Sequence, residues 1–250
     1  MSTDQGGTSL HGGLFYDDET VFSNYTAHRD WTANPNTVME EPALLEALED
    51  VRGARVLDLG CGESELGRVL PAAGCASYHG IDSSRRMVER AKVILQGSSG
   101  TVTFGTMEEF SAPPESVDLV ISRLALHYVE HIEPILRACH TCLVDSGRLI
   151  FTVTHPVITS HDSRTGEKRT SWVVDDYFVP GARPQTWMGG RVVWFHRTIE
   201  DYVRAVQQAG FRITRLSECA PSKAHFTEDP HEYQRRCRVP LFLLLVGEKT

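Results

Sequence analysis

The stretch RVLDLGCGESELGRVL (Arg55–Leu70) decides how this chain is read. It runs from an apolar segment through two glycines into a helical pattern, so Asp58, Gly60 and Gly62 stand where a buried strand would end. A glycine-rich turn between strand and helix lets a ligand approach the backbone closely. The dinucleotide fingerprint G-x-G-x-x-G needs its third glycine where this chain has Glu65. With Glu63 beside it, that carboxylate meets a pyrophosphate unfavourably, whereas a ligand bearing an ammonium and a sulfonium suits the same charges. A tight turn holding no ligand is the competing reading.

At 250 residues, 41% hydrophobic and 23% charged, the chain is long enough for a full core and reads as one α/β domain over residues 1–250. A formal net charge of -8 argues against a broad nucleic-acid surface. No apolar run reaches bilayer-spanning length and the polar start MSTDQGGTSLHGG lacks a signal-peptide core, so a cytoplasmic location without a membrane partner is expected. The six cysteines are scattered through apparent core elements, which predicts reduced thiols. Cys139 and Cys142 form a C-x-x-C, but no second pair completes a metal site and no metal is expected.

Residues 1–36 form a polar, aromatic-bearing leader without clear periodicity, which reads as an N-terminal lid. After a helix-like TVMEEPALLEALEDV, short apolar runs at 54–59, 77–81, 102–104, 117–122 and 148–153 alternate with helical segments. That alternation implies a parallel, doubly wound sheet with right-handed crossovers. Residues 155–197 break the pattern with turn formers, Trp and His, and read as an inserted segment covering the substrate. The helix-like IEDYVRAVQQAG and the strands FRITRLSE and PLFLLLVGE close the domain, with an antiparallel strand expected in the edge region.

Ligands of such sheets sit outside the carboxyl ends of the strands. The second strand end, GIDSS, offers Asp82, whose carboxylate can accept both hydrogen bonds of a ribose diol or cap the following helix. The third and fourth ends give FGTMEEF and VDLVISRLALHYV. Together these segments resemble class I S-adenosylmethionine-dependent methyltransferases over most of the chain. VLDLGCGES resembles their methionine-binding first motif, GIDSS the ribose-binding acidic loop, GTMEEF the adenine-side loop, SVDLVISRLALHYV the fourth motif, and LVDSGRLIFTV the L-x-x-G-G segment. The resemblance implies a Rossmann-like, doubly wound, seven-stranded, mostly parallel sheet with one antiparallel strand. It implies S-adenosylmethionine as cofactor, held by Tyr25, Asp58, Gly60, Cys61, Gly62, Asp82, Ser83, Met87, Thr106, Met107, Glu108 and Arg123. Two departures stand out: Ser64 replaces the third glycine of G-x-G-x-G, and Thr106 stands where the adenine loop usually carries an acid.

LALHYV, THPVITS and WVVDDYFVPGAR, with the segments that follow them, resemble a bacterial small-molecule methyltransferase group of natural-product tailoring, similar to actinobacterial indole C-methyltransferases. The implied acceptor is an indole carbon, a phenol or an amine. A sulfonium already makes the methyl group electrophilic, so positioning in a water-poor pocket is the main task and a histidine suits the acceptor's proton. Tyr25, His28 and Trp31 recur at i, i+3 and i+6, which makes His28, with Tyr25, the first catalytic candidate. His127 and His155 follow presumed strand ends and are the reserves. Tyr16, Trp31, His127, Tyr128, His155, Tyr177 and Trp187 are the expected acceptor-binding residues. A cyclase-like protein without methyl transfer and an NAD-dependent oxidoreductase are the alternatives. The expected partner is a small-molecule acceptor, with a homodimer as the candidate assembly.

Overall fold

The computed structural model describes residues 12–29, 31, 34–160 and 171–250. Two short helices, α1 (Gly12–Tyr16) and α2 (Glu19–Arg29), come first, and a π-helical turn (Asn36–Glu40) leads into α3 (Glu41–Leu48). Strand and helix then alternate through β1 (Arg55–Leu59), α4 (Glu65–Ala72), β2 (Ser77–Asp82), α5 (Arg85–Ile94), β3 (Thr101–Phe104), β4 (Val117–Arg123), α6 (Glu133–Cys142) and β5 (Leu143–Thr154). After α7 (Pro156–Thr159) come β6 (Gly181–Trp187), β7 (Gly190–His196), α8 (Ile199–Gln208), β8 (Phe211–Ser217), α9 (Pro230–Arg236) and β9 (Phe242–Lys249).

The main sheet has seven strands in the order β3-β2-β1-β4-β5-β9-β8, with β1 to β5 mutually parallel and β9 antiparallel to both of its neighbours. This is the expected doubly wound, Rossmann-like arrangement. The reversed strand stands second from the edge, outside it only β8, because its FLLLV run is buried on both faces and needs a neighbour on each side. Successive residues of each central strand serve opposite cores. Leu57, Leu59, Val120, Phe151 and Leu245 pack against α6 and α8. Val56, Ile121, Ile150, Leu244 and Val246 pack against α3 and α4. Each such fully buried side chain contributes roughly 1.5–3 kcal/mol of transfer free energy. Cys139 and Cys142 are among the first set, on the inward face of α6. Among the described residues no helix is long and apolar enough to cross a membrane.

The leader and the insertion are more regular than their sequence suggests. In α2 only Val21 is buried, so no apolar stripe marks the helix. The insertion contains an antiparallel hairpin that pairs Gly181 with His196 and Trp187 with Gly190. Pro184 and the flanking glycines hide it in the sequence, yet proline is tolerated on an edge strand such as β6. Phe15, Val21, Val192 and Trp194 form a small third core that fastens leader to hairpin. Gly190 makes that contact possible, since a Cβ there would lie 2.8 Å from Val21 and 2.9 Å from Phe15.

Candidate active site

A cavity of about 800 Å3 opens at the carboxyl ends of β1, β2 and β4, where the strand order reverses, and is covered by the leader and the hairpin. Its floor is the turn after β1. There Gly60, Gly62 and Ser64 have φ of 73°, 55° and 58°, so all three alternate positions adopt the left-handed backbone. Glycine does this freely, and serine at a cost of roughly 1–2 kcal/mol. Ser64 is fully buried and donates its hydroxyl to Cys61 Sγ at 3.1 Å. A Cβ on Gly60 would fall 2.4 Å from that of Ala125, whereas one on Gly62 meets nothing within 4 Å.

Asp82 accepts the Gly62 amide on Oδ2 and the Ser84 amide on Oδ1, each at 2.8 Å. The cap of α5 is Ser84, whose hydroxyl accepts the Met87 amide at 3.1 Å. Each Asp82 oxygen therefore keeps a second lone pair for a ligand hydroxyl, and burial raises the carboxyl pKa. Asp58 accepts the Tyr78 hydroxyl on Oδ2 at 2.7 Å, while its Oδ1 is buried without a partner. Burial pushes its pKa up to about 7. Glu63 Oε1 is likewise buried and unpartnered beside the cavity. Two orphaned carboxylate oxygens at one end of a cavity fit a ligand that brings positive charge and N–H donors, as S-adenosylmethionine does. Arg123, by contrast, is held by Glu40 at 2.8 Å and Glu41 at 2.9 Å, and Glu40 also accepts the Thr152 hydroxyl at 2.7 Å. The Thr106 hydroxyl donates to Glu109 at 3.2 Å. Every residue expected at the cofactor, from Tyr25 to Arg123, lines the cavity.

The other end is aromatic. Tyr16 and Tyr128 share a hydroxyl hydrogen bond of 2.8 Å, Tyr16 stacks edge-on against Tyr25 at 5.3 Å, and Trp187 lies 6.1 Å from Trp194. The Trp194 indole N–H is buried without a partner. Trp31, partly exposed, stands with His28 and Trp187: the His28 ring is 5.8 Å from each indole. Burial first, then Arg29 and Arg236, lower the His28 pKa, so its imidazole is neutral at physiological pH.

Two expected acceptor residues lie elsewhere. His155 does not line the cavity: its Nδ1 accepts the Val157 amide at 3.1 Å as the cap of α7, and its Nε2 meets Glu218 at 3.0 Å. The end of β5 turns straight into a helix, so one ring nitrogen caps α7 and the other is taken by Glu218, just beyond β8. Tyr177 also stands outside the cavity, its carbonyl 2.9 Å from His196 Nε2 and its hydroxyl accepting the Ile199 amide at 3.4 Å. His127 lines the cavity, but burial and the Arg197 charge push its pKa down to about 3, too low to hold a proton near neutral pH. Among the cavity residues that the sequence reading does not assign to the site are Arg29, Trp194, Arg235 and Arg236. Arg29 was detectable as the neighbour of His28, but nothing local in YQRRCRVP tells that α9 returns to the site.

A family model described as a methyltransferase domain matches residues 32–216. The structure is similar to a crystal structure of an S-adenosylmethionine-dependent methyltransferase from Mesorhizobium loti, with a TM-score of 0.76, 33% identity, and coverage of 84% of this chain and 97% of that one. An uncharacterized protein of Haemophilus influenzae is 27% identical over 94% of this chain and 96% of its own length. The uncharacterized methyltransferase YbaJ of Bacillus subtilis is 26% identical over 67% of this chain and 69% of its own.

Proposed function

We propose, from the premise that this chain belongs to the class I S-adenosylmethionine-dependent methyltransferases and uses S-adenosylmethionine, that its acceptor is a small aromatic molecule. An indole carbon, a phenol or an amine receives the methyl group, in the tailoring of a natural product. The observation that carries this reading is one cavity with buried carboxylates at one end and aromatic rings around an uncharged imidazole at the other. Its volume of about 800 Å3 lies within the range of small-molecule sites.

Bound S-adenosylmethionine supplies an electrophilic methyl group on its sulfonium. Asp58 and Glu63 offer their orphaned oxygens to its positive groups, and Asp82 offers two oxygens to the ribose hydroxyls. The rings of Tyr16, Tyr128, Trp187 and Trp194 exclude water and flank a flat acceptor, with the Trp194 N–H free to orient a polar atom. A ring nitrogen of His28 takes the acceptor's proton, during transfer for a phenol or amine and after it for a ring carbon. Incubation with S-adenosylmethionine and a panel of indoles, phenols and amines, followed by mass spectrometry, tests this. A methylated aromatic product is expected. Cofactor binding with no methylated product across the panel overturns the acceptor assignment.

A further inference from the structure

We propose that the acceptor carries a carboxylate and that this group docks on Arg236, beside His28; the proposal rests on the methyl-transfer reading above. The cavity is lined by four guanidinium groups, and they differ in what answers them. Arg123 is matched by both Glu40 and Glu41. Arg235 takes both oxygens of Glu232, at 2.7 and 2.6 Å. Arg236 is left with the same carboxylate: its Nε approaches Glu232 Oε1 at 2.7 Å but makes no directed hydrogen bond, although the side chain is only 10% exposed. Arg29 has no ion pair with any other described residue.

Arg235 and Arg236 thus share the one carboxylate of Glu232 and Arg29 pairs with no described residue, which leaves two of these three positive charges unmatched among the described ion pairs. A buried guanidinium is costly unless it is paired and hydrogen-bonded, and its planar fork matches a carboxylate. S-adenosylmethionine has a single carboxylate and can answer one of the two charges. Tyr25, one turn before Arg29, lies in the field of Arg29, Glu63 and Asp82, and His28 lies in the fields of both Arg29 and Arg236. Of the two, Arg236 is the one with a buried guanidinium nitrogen that makes no hydrogen bond, so its charge is the one left for the acceptor. A carboxylate there holds one end of the molecule while its ring lies among Trp31, Trp187 and Trp194, the arrangement that would fix which ring atom faces the methyl group.

The test titrates the full chain, with and without saturating S-adenosylhomocysteine, with indole-3-acetate and with its neutral isostere indole-3-acetamide. The carboxylate is expected to bind at least about tenfold more tightly, as for a hydrogen-bonded pair with a charged group. In Arg236→Gln that preference disappears while S-adenosylhomocysteine affinity is unchanged, and Arg236→Lys restores part of it should the Gln variant fold poorly. Equal affinity for the two compounds, failure of both to bind, or a preference that survives Arg236→Gln overturns the proposal. Failure to bind S-adenosylhomocysteine instead overturns the methyl-transfer reading, and the cofactor-free titration still decides the anion site.

Discussion

Asp82 accepts the amide of Gly62 at 2.8 Å, which locks the turn after β1 to the end of β2. The chain of contacts continues outward. The other Asp82 oxygen takes the Ser84 amide, the Ser84 hydroxyl donates to Asp17 at 2.8 Å, and Asp17 also accepts the Arg86 amide at 3.1 Å. The floor of the cavity and its cover are therefore one hydrogen-bonded unit.

Asp82→Ala removes both the ribose acceptor and the partner of the Gly62 amide. Loss of hydrogen bonds to a charged group is worth about 1.5–3 kcal/mol, so S-adenosylhomocysteine should bind roughly tenfold to more than a hundredfold more weakly in calorimetry. An unchanged dissociation constant removes Asp82 from the cofactor site.

The leader is expected from the sequence to cover the acceptor, but Asp17 and Gly13 also press it onto the ribose loop, where a Cβ on Gly13 would lie 2.1 Å from the Ser83 carbonyl. Asp17→Ala should accordingly lower cofactor affinity as well as turnover, by about 0.5–1.5 kcal/mol for each hydrogen bond lost. A fall in turnover alone would confine the leader to the acceptor side.

Ser64→Gly isolates the backbone term of the turn. It relieves a serine held at φ 58°, and gives up only a weak contact to Cys61. The melting temperature should rise by an amount corresponding to at most about 1–2 kcal/mol. A lower melting temperature means that the hydroxyl matters more than the backbone.

The sequence exposes the sheet because strand burial leaves short apolar runs that alternate with helical spacing, and it exposes the cofactor end because Asp58, Gly60, Gly62 and Asp82 sit at strand termini. The acceptor end is less legible. His155 looks like a crevice residue from its place after β5, yet the next residues form α7 and claim its Nδ1. Arg236 comes from the far end of the chain, and Trp194 belongs to a hairpin whose proline breaks the strand pattern. Such placements depend on tertiary packing, which spacing alone does not carry.

Asp58 is expected to make cofactor binding pH-dependent. Burial raises its pKa to about 7, from roughly 3.9 in an unfolded chain. Between those values the free protein holds a proton that the unfolded chain has released, so this group's contribution to stability declines as pH rises toward 7. A cationic ligand beside Asp58 favours the ionised form. Its binding below pH 7 therefore releases a proton, and affinity should increase from about pH 5 to 7 and then level off. Calorimetry in buffers of different ionisation heat reads that proton. A pH-independent affinity, or Asp58→Asn with an unchanged pH profile, contradicts the assignment.

His28 is the group whose removal should separate chemistry from binding. It lines the cavity between Trp31 and Trp187, and no described residue hydrogen-bonds its ring. Burial, Arg29 and Arg236 all disfavour its charged form, so its pKa lies below the usual 6.5. Its sign is opposite to that of Asp58: as pH rises through the lowered value the imidazole loses its proton and becomes able to accept one. The rate for a phenol or amine should thus rise along an acid limb centred below 6.5 and be flat at neutral pH. His28→Ala should remove that limb and lower turnover about 100-fold to 10,000-fold, with S-adenosylhomocysteine affinity retained. A much smaller loss is expected for a ring-carbon acceptor, whose proton leaves after the methyl group has arrived. His127 cannot substitute, since its pKa of about 3 leaves it too weak a base. Wild-type turnover of His28→Ala with every acceptor class would mean that positioning by the aromatic walls alone carries the reaction.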